Sequence, residues 1–406
     1  VGGSPISADV QFTDLSWHTL LLGTEGAGGN DVFALDVTDP STLTTESAVA
    51  AAALWDFTDG DMGNTFGSPY AVNTVLGNVV IVANGYNSPQ GKPFLYALNS
   101  QTGAVLAKID LCAAVATACN LTIVNGLSSL NAVNSGGQAG GAANLVYAGD
   151  LQGNLWRVNI SNANPSLWSV SVLAQARDSS GNPQPITSVT EATLNPRYPQ
   201  LAGTMVFFAT GELLGTPDLS TTQLQTIYGI YDNLTAPGAP ITRSGGALVQ
   251  QVLTAALIGT TQVSTVTGNA VSLPASKGWY LDLSLNSGER VAFDSRLRNG
   301  ALIIGSYQPP GRACGGNDSS YLYVINYATG GSIPSPQFDA NGDNKVDQSD
   351  MVTIANTTKV APVSERLGNG YYSDSTFILQ ASNTTGGSGG NYAIVCGEWV
   401  RANQFW

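Results

Sequence analysis

"VIVANGYNSPQGKPFLYALN", residues 80–99, holds two apolar stretches separated by a loop of Gly, Pro, Asn and Ser. The second stretch, "LYALN" at 95–99, sets out an apolar residue, an aromatic, any residue, an apolar residue and a polar stop. The same order returns as "VFALD" at 32–36, "LWRVN" at 155–159, "IYGIY" at 227–231 and "LYVIN" at 322–326. Four of the five end in Asp or Asn, and the other runs into Asp232. Each is preceded by an apolar run that ends in turn formers: "LLLGTEG", "VIVANGY", "LVYAGD", "VFFATGE" and "LIIGSY". Short apolar runs bounded in this way read as strands joined in hairpins.

A further strand often follows, as in "VLAKID" at 105–110 and "WSVSVLA" at 168–174. The motif aromatics Phe33, Tyr96, Trp156, Tyr228 and Tyr323 are 63, 60, 72 and 95 residues apart. The widest interval leaves space for one more unit, and "GWYLDLSLNSGERVAF" at 278–293 is read as that unit. The remainder at 370–406, with "STFILQ" and "YAIVCGEW", supplies a seventh. Units of four antiparallel strands with an aromatic at a fixed place predict an all-β chain, a modified β-propeller of seven blades forming one domain over residues 1–406. The aromatics are read as packing between blades rather than as ligand contacts. A pair of β-sandwiches is the competing arrangement.

The bulk properties agree. With 406 residues, 43% of them hydrophobic, the chain can bury a large core, and 47 glycines suit many turns. A net charge of -13 with 15 basic residues argues against nucleic acid and anionic membranes and favours a cationic partner or a metal. No stretch reaches the roughly 18 consecutive apolar residues of a membrane span. The start at Val1, without Met or a leader, suggests a processed chain or an excised domain. Of four cysteines, Cys112 and Cys119 bracket a small loop that a disulfide could close, leaving Cys314 and Cys396 as a long-range pair; four free thiols are the alternative.

The densest charge lies in "FDANGDNKVDQSD", residues 338–350, with Asp339, Asp343, Asp347 and Asp350. At roughly 5 Å in water each pair of such charges repels by about 0.8 kcal/mol, so ordering the loop favours a cation. A twelve-residue calcium loop draws oxygens from positions 1, 3, 5, 7, 9 and 12. Counted from Asp339, these are Asp339, Asn341, Asp343, the carbonyl of Lys345, Asp347 and Asp350. Val346 takes position 8, where an apolar residue tethers such a loop. Asn344 stands where glycine makes the sharp turn, and asparagine tolerates that left-handed conformation. Asp350 is shorter than the usual Glu, leaving it to bind through one oxygen, through water, or not at all. The expected cofactor is Ca2+; so many protein ligands disfavour magnesium. The following "MVTIANTTKV" carries no helix signal, and a solvated acidic turn is the bland reading.

"GNDVFALDVTDP" (29–40), "LWDFTDGDMGNTFGSP" (54–69), "VYAGDLQGNLWRVNI" (146–160), "GWYLDL" with "GER" (278–290) and the aspartate loop occur in that order. Together they resemble the C-terminal domain of the PilY-type proteins, the tip-associated adhesins and assembly factors of bacterial type IV pili. The resemblance spans nearly the whole chain. It implies passage through the periplasm to the pilus tip or cell surface, pilin or minor pilin partners, and a bound calcium that influences pilus extension, retraction and twitching motility. A host or abiotic surface is a further implied partner. In the family's loop the first nine residues hold the metal, which here makes Asp339, Asn341, Asp343, Lys345 and Asp347 the safer set. It also implies a longer N-terminal region, often adhesive. The Arg-Gly-Asp tripeptide of some members is absent, so integrin binding is not carried over.

Other clusters read as structure. Asp56, Asp59 and Asp61 lie in a Gly-rich turn, and "GGQAGGAAN" at 136–144 lacks the Lys and Ser/Thr of a phosphate loop. A Ser-His-Asp arrangement would require His18, the single histidine, which reads as a core or edge residue. Glu25, Glu191 and Glu212 leave a glycosidase pair open. Quinone-dependent propeller dehydrogenases often carry adjacent cysteines, and none occur here. The chain therefore reads as a calcium-binding regulatory module and not an enzyme, with a propeller oxidoreductase or glycosidase, or a non-adhesive periplasmic scaffold, as alternatives.

Overall fold

The computed structural model describes residues 3–137, 140–194, 201–235, 238–311, 318–354 and 358–368. The chain forms two compact units, the second taking over at Gln175.

The first unit contains three four-stranded sheets, each a simple antiparallel meander. They are Ile6–Gln11, Trp17–Thr24, Val32–Asp36 and Ala53–Phe57; Tyr70–Thr74, Gly77–Ala83, Phe94–Asn99 and Val105–Asp110; and Leu127–Val133, Leu145–Asp150, Asn154–Asn159 and Ser169–Gln175. In the second unit Glu191–Leu194, Thr204–Ala209, Thr226–Asp232 and Gly278–Asp282 form a fourth meander, with Val249–Gln251 added in parallel. Arg296–Arg298, Ala301–Gln308, Ser319–Asn326 and Ser364–Gly368 form a fifth, extended by the hairpin of Leu253–Ile258 and Thr261–Val266. The recurring motif occupies the third strand of every one of these meanders.

Each part of the motif has a physical role. Its apolar positions alternate with the aromatic on the pleated strand and bury both faces. The polar stop ends the strand by accepting the backbone N–H two residues later. Thr38 donates to Asp36, Gln101 to Asn99, Ser161 to Asn159, Leu234 to Asp232 and Ala328 to Asn326, all at 2.8–3.0 Å. Such a side chain mimics a turn carbonyl and diverts the backbone from further pairing.

Four of the five aromatics bury a polar edge, and each finds an acceptor. The Tyr96 hydroxyl donates to Asp59 at 2.9 Å, Trp156 Nε1 to Asp150 at 2.8 Å, Tyr228 to Gln184 at 2.8 Å and Tyr323 to Glu289 at 2.7 Å. Phe33 has nothing to donate; its ring lies where a Cβ on Gly23 would stand, at 2.3 Å, so that glycine must stay bare.

One predicted unit is corrected. "GWYLDLSLNSGERVAF" is not a separate blade: Gly278–Asp282 pairs with Thr226–Asp232 and closes the fourth meander. Trp279 drives this. It is fully buried against the Met205 and Phe207 cluster, and a Cβ on Gly229 would strike its indole at 2.5 Å. The predicted seventh unit at 370–406 lies outside the described residues, as do Cys314 and Cys396. Cys112 and Cys119 are joined in a disulfide with Cα atoms 5.6 Å apart.

Burial sets an expectation for stability. Trp156→Ala should lower the unfolding free energy by about 3–5 kcal/mol, as large core truncations do. Trp17→Ala, at a residue 63% exposed, should cost about 0.5 kcal/mol or less. Urea unfolding of both variants checks this, and equal losses would contradict it.

Candidate metal centre

The aspartate loop is anchored at both ends by apolar side chains. Phe338 just before it, Ala340 at its second position and Val352 after it pack with Val263, Leu322 and Val324 on one face of the fifth sheet. Val346, expected to tether the loop, is instead 41% exposed; Ala340 and Val352 already hold it. The loop closes in a short 3-10 turn, Gln348–Asp350, and is followed by the paired strands Val352–Ile354 and Thr358–Val360, so among the described residues no helix flanks it on that side.

Within the loop the carboxylates gather backbone N–H groups. Asp339 Oδ1 accepts from Gly342 and Asp343 at 2.9 and 3.1 Å, and its Oδ2 accepts from Asn344 at 2.8 Å. Asn341 Oδ1 accepts from Asp343 at 2.8 Å and Asp343 Oδ1 from Lys345 at 2.9 Å. Asn344 has φ of 67°, the left-handed turn expected of it. A carboxylate oxygen that accepts one N–H retains lone-pair capacity for a cation.

Asp347 and Asp350 are otherwise engaged. Asp347 Oδ1 accepts from the Ser349 N–H and hydroxyl at 2.8 and 2.7 Å, capping the 3-10 turn. These bonds, with Lys345 and Lys359 near, hold its carboxyl below the ordinary range. Asp350 is fully buried, and its two oxygens accept from Asn341 and Asp347 at 3.1 and 2.9 Å. It staples the start of the loop to its end. Among the described residues no ion pair reaches any carboxylate of the loop, and no three acidic, His or Cys side chains stand close enough together to hold a metal. The donor set is nonetheless all oxygen, the chemistry of a hard cation.

Sequence reasoning missed Glu365. It pairs in register with Val263 and Leu322, on the face that the loop covers. Burial, with Asp339 and Asp350 nearby, pushes its carboxyl up to about 7. Nothing in "SERLG" marks this contact, because strand pairing alone brings it there.

The Asp59 and Asp61 cluster resolves as structure. Lys108 Nζ lies 2.6 Å from both Asp59 and Asp61, so a lysine fills the place a metal would take, while Asp56 is exposed. His18 contacts Asp36 at 2.7 Å and Ser16 at 2.8 Å and stacks on Phe12, so the Ser-His-Asp contacts are present. The Ser16 hydroxyl is also 2.5 Å from Asp14 Oδ1, so it is shared between the imidazole and a second carboxylate. Glu191 and Glu212 are each pushed up to about 7 by burial, with Asp294 and Asp218 respectively adding to it. Arg290 donates to the Glu212 and Asp218 carbonyls and to Thr221, a backbone clamp.

With strands, motif and loop placed, the chain falls among all-β propeller domains. The family described as the PilY1 beta-propeller domain matches residues 1–265, and the chain belongs to that family. A type IV pilus biogenesis factor PilY1 homolog of Xylella fastidiosa is 34% identical over 79% of the chain and 22% of its own length. The type IV pilus biogenesis factor PilY1 of Pseudomonas aeruginosa UCBPP-PA14 is 30% identical over 86% of the chain and 33% of its own length. The chain thus spans about a fifth to a third of these relatives. The crystal structure of the Pseudomonas aeruginosa PilY1 C-terminal domain matches with a TM-score of 0.75 at 28% identity, over 90% of this chain and 78% of that one.

The raised carboxyls have a pH consequence. Glu191 and Glu212 bind a proton more tightly folded than unfolded. Their contribution to stability is complete below the ordinary carboxyl value and is lost as pH rises through about 7. The urea midpoint should fall between pH 5 and 8, and Glu191→Gln should lessen the fall. An unchanged pH slope in that variant would count against the assignment.

Proposed function

We propose that this domain is a calcium-binding module of a type IV pilus biogenesis protein. It passes through the periplasm to the pilus tip and cell surface, where it engages pilin or minor pilin subunits, and a host or abiotic surface, and tunes extension and retraction. It does not act as an enzyme. The observation that carries this reading is the loop itself, an array of oxygens at calcium-loop spacing in a chain that belongs to a pilus family, with no ion pair to its carboxylates among the described residues.

Asp339, Asn341, Asp343, the Lys345 carbonyl and Asp347 would hold the ion, and Ca2+ would supply the positive charge that four aspartates lack. Asp339 is already oriented by three N–H donors. Asp347 caps Ser349 through Oδ1 and would offer Oδ2 to the ion, whereas Asp350 keeps its stapling role. The sheets are held by apolar clusters and by the aromatic pairs above, none of which involves the loop carboxylates, so they form without metal.

Calorimetric titration tests the reading. If calcium binds with a dissociation constant of about 10 μM, about 1 mM calcium stabilises the bound state by about 2.7 kcal/mol. Asp343→Ala should abolish binding. Asp347→Lys should place an ammonium beside the site and partly mimic occupancy, so the two variants should lie at opposite ends of a surface-pilus assay. Unchanged calcium affinity in Asp343→Ala would disprove the site, and loss of the sheet circular dichroism on chelation would disprove the local role.

A further inference from the structure

The fifth sheet ends in two unlike edges. At one, Arg296–Arg298 carries two arginines in three residues. At the other, Leu253–Ile258 carries none, and from Ser244 to Ser276 no residue is charged, in a chain 11% charged overall. An open strand edge invites pairing by another chain, and proteins blunt theirs with charge, proline or a bulge. The last strands of the first two meanders, Ala53–Phe57 and Val105–Asp110, follow that rule. Asp56 sits on one, Lys108 and Asp110 on the other, and each pairs through a register shift. Leu253–Ile258 has no proline and pairs with Thr261–Val266 over its whole length without a shift.

The hairpin fixes which backbone groups stay open. Gly259 and Thr260 form its two-residue turn. Such a turn is closed by a hydrogen-bonded pair, here Ile258 with Thr261, and bonded pairs then alternate along the ladder. Ala256 with Val263 and Thr254 with Thr265 are therefore bonded, and the Thr267 N–H, donating to the Val252 carbonyl at 3.1 Å, continues the same parity. Ala255 and Leu257 thus turn their N–H and C=O groups away from Thr261–Val266, and among the described residues no strand pairs with them there. Both residues are exposed, Leu257 at 64%. Their side chains line a cavity of about 560 Å3 with Ser264, Leu285, Tyr323 and Ser364, whereas Ala256 and Ile258 pack against the apolar cluster on the other face, beneath the aspartate loop. Directly opposite residues in a ladder share a face, so a strand added at this edge sets every second side chain beside Leu257 and Leu285, both exposed.

We propose that the Leu253–Ile258 edge is the docking site for an extended, uncharged segment of another protein, added as a further strand with aliphatic side chains at alternate positions. The main chain at Ala255 and Leu257 supplies the hydrogen bonds, and Leu257 and Leu285 supply the apolar contact. Charge selects the occupant. A charged strand would lose hydration against a stretch, Ser244 to Ser276, that offers no counter-charge. A second copy of the chain would bring its own net -13 against -13. The inference stands without the calcium reading, because the loop covers the opposite face of the sheet.

The test adds to the 406-residue chain, at fixed calcium, a blocked peptide of alternating valine and threonine made soluble by a polyether tail. Saturable binding that slows hydrogen exchange at the Ala255 and Leu257 amides supports the proposal, provided the same peptide methylated at every backbone nitrogen binds at least about tenfold more weakly, since several main-chain bonds are then lost together. Ala255→Pro removes an outward N–H that the existing ladder does not use, and Leu257→Lys installs the missing edge charge. Each should weaken the peptide about tenfold while the sheet circular dichroism is unchanged. Failure to saturate, equal affinity of the methylated peptide, slowed exchange only in other strands, or full affinity in both variants would overturn it. So would protection of the two amides that rises with protein concentration in the absence of peptide, which would give the edge to a second copy. Equal affinity, at an ionic strength that screens surface charge, of a peptide carrying lysine in place of valine would also overturn it.

Discussion

A buried aromatic with a polar edge can hold two strands only if that edge is also satisfied, and that demand organises four of the five meanders. An unmet hydroxyl or indole N–H in a core costs about 1–3 kcal/mol, enough to cancel much of the gain from burying the ring. Tyr96, Tyr228 and Tyr323 each meet the demand with an acceptor from another part of the chain, and Trp156 with Asp150 of the preceding strand. The acceptor must then be satisfied in turn. Asp150 also accepts from Asn125 and Asn154, and Glu289 from Ser306 and Asn286, so one aromatic fixes several loops at once.

This coupling explains what could be read from the sequence. The third strand is legible because three local demands coincide in five residues: alternation for burial, an aromatic at a set register, and a side-chain acceptor that ends the strand. Three of the four acceptors are not legible, since Asp59 lies 37 residues before Tyr96, Gln184 44 before Tyr228 and Glu289 34 before Tyr323, whereas Asp150 is only six before Trp156. The reading of 278–293 as its own unit failed for a related reason. "GWYLDL" resembles a strand motif, but what places it is the bare surface of Gly229, visible only once the strands are paired.

The aspartate loop shows the same division. Its spacing and the left-handed Asn344 could be anticipated from local rules. That Asp350 would turn inward as a staple, Val346 outward, and Glu365 lie beneath could not, because each depends on how the loop sits on its sheet. The proposed calcium site is therefore an acidic insertion resting on an apolar face. Its charges reach Glu365 on the sheet beneath, while the aromatic network elsewhere is left untouched.

Hydrogen exchange, followed by mass spectrometry with and without calcium, addresses that separation most directly. The account predicts that calcium slows exchange at the amides of Gly342, Asp343, Asn344 and Lys345 while the strands Phe94–Asn99, Asn154–Asn159 and Ser319–Asn326 exchange at the same rate in both conditions. Loss of protection in those strands when calcium is withdrawn, or no change at the loop when it is added, would contradict it.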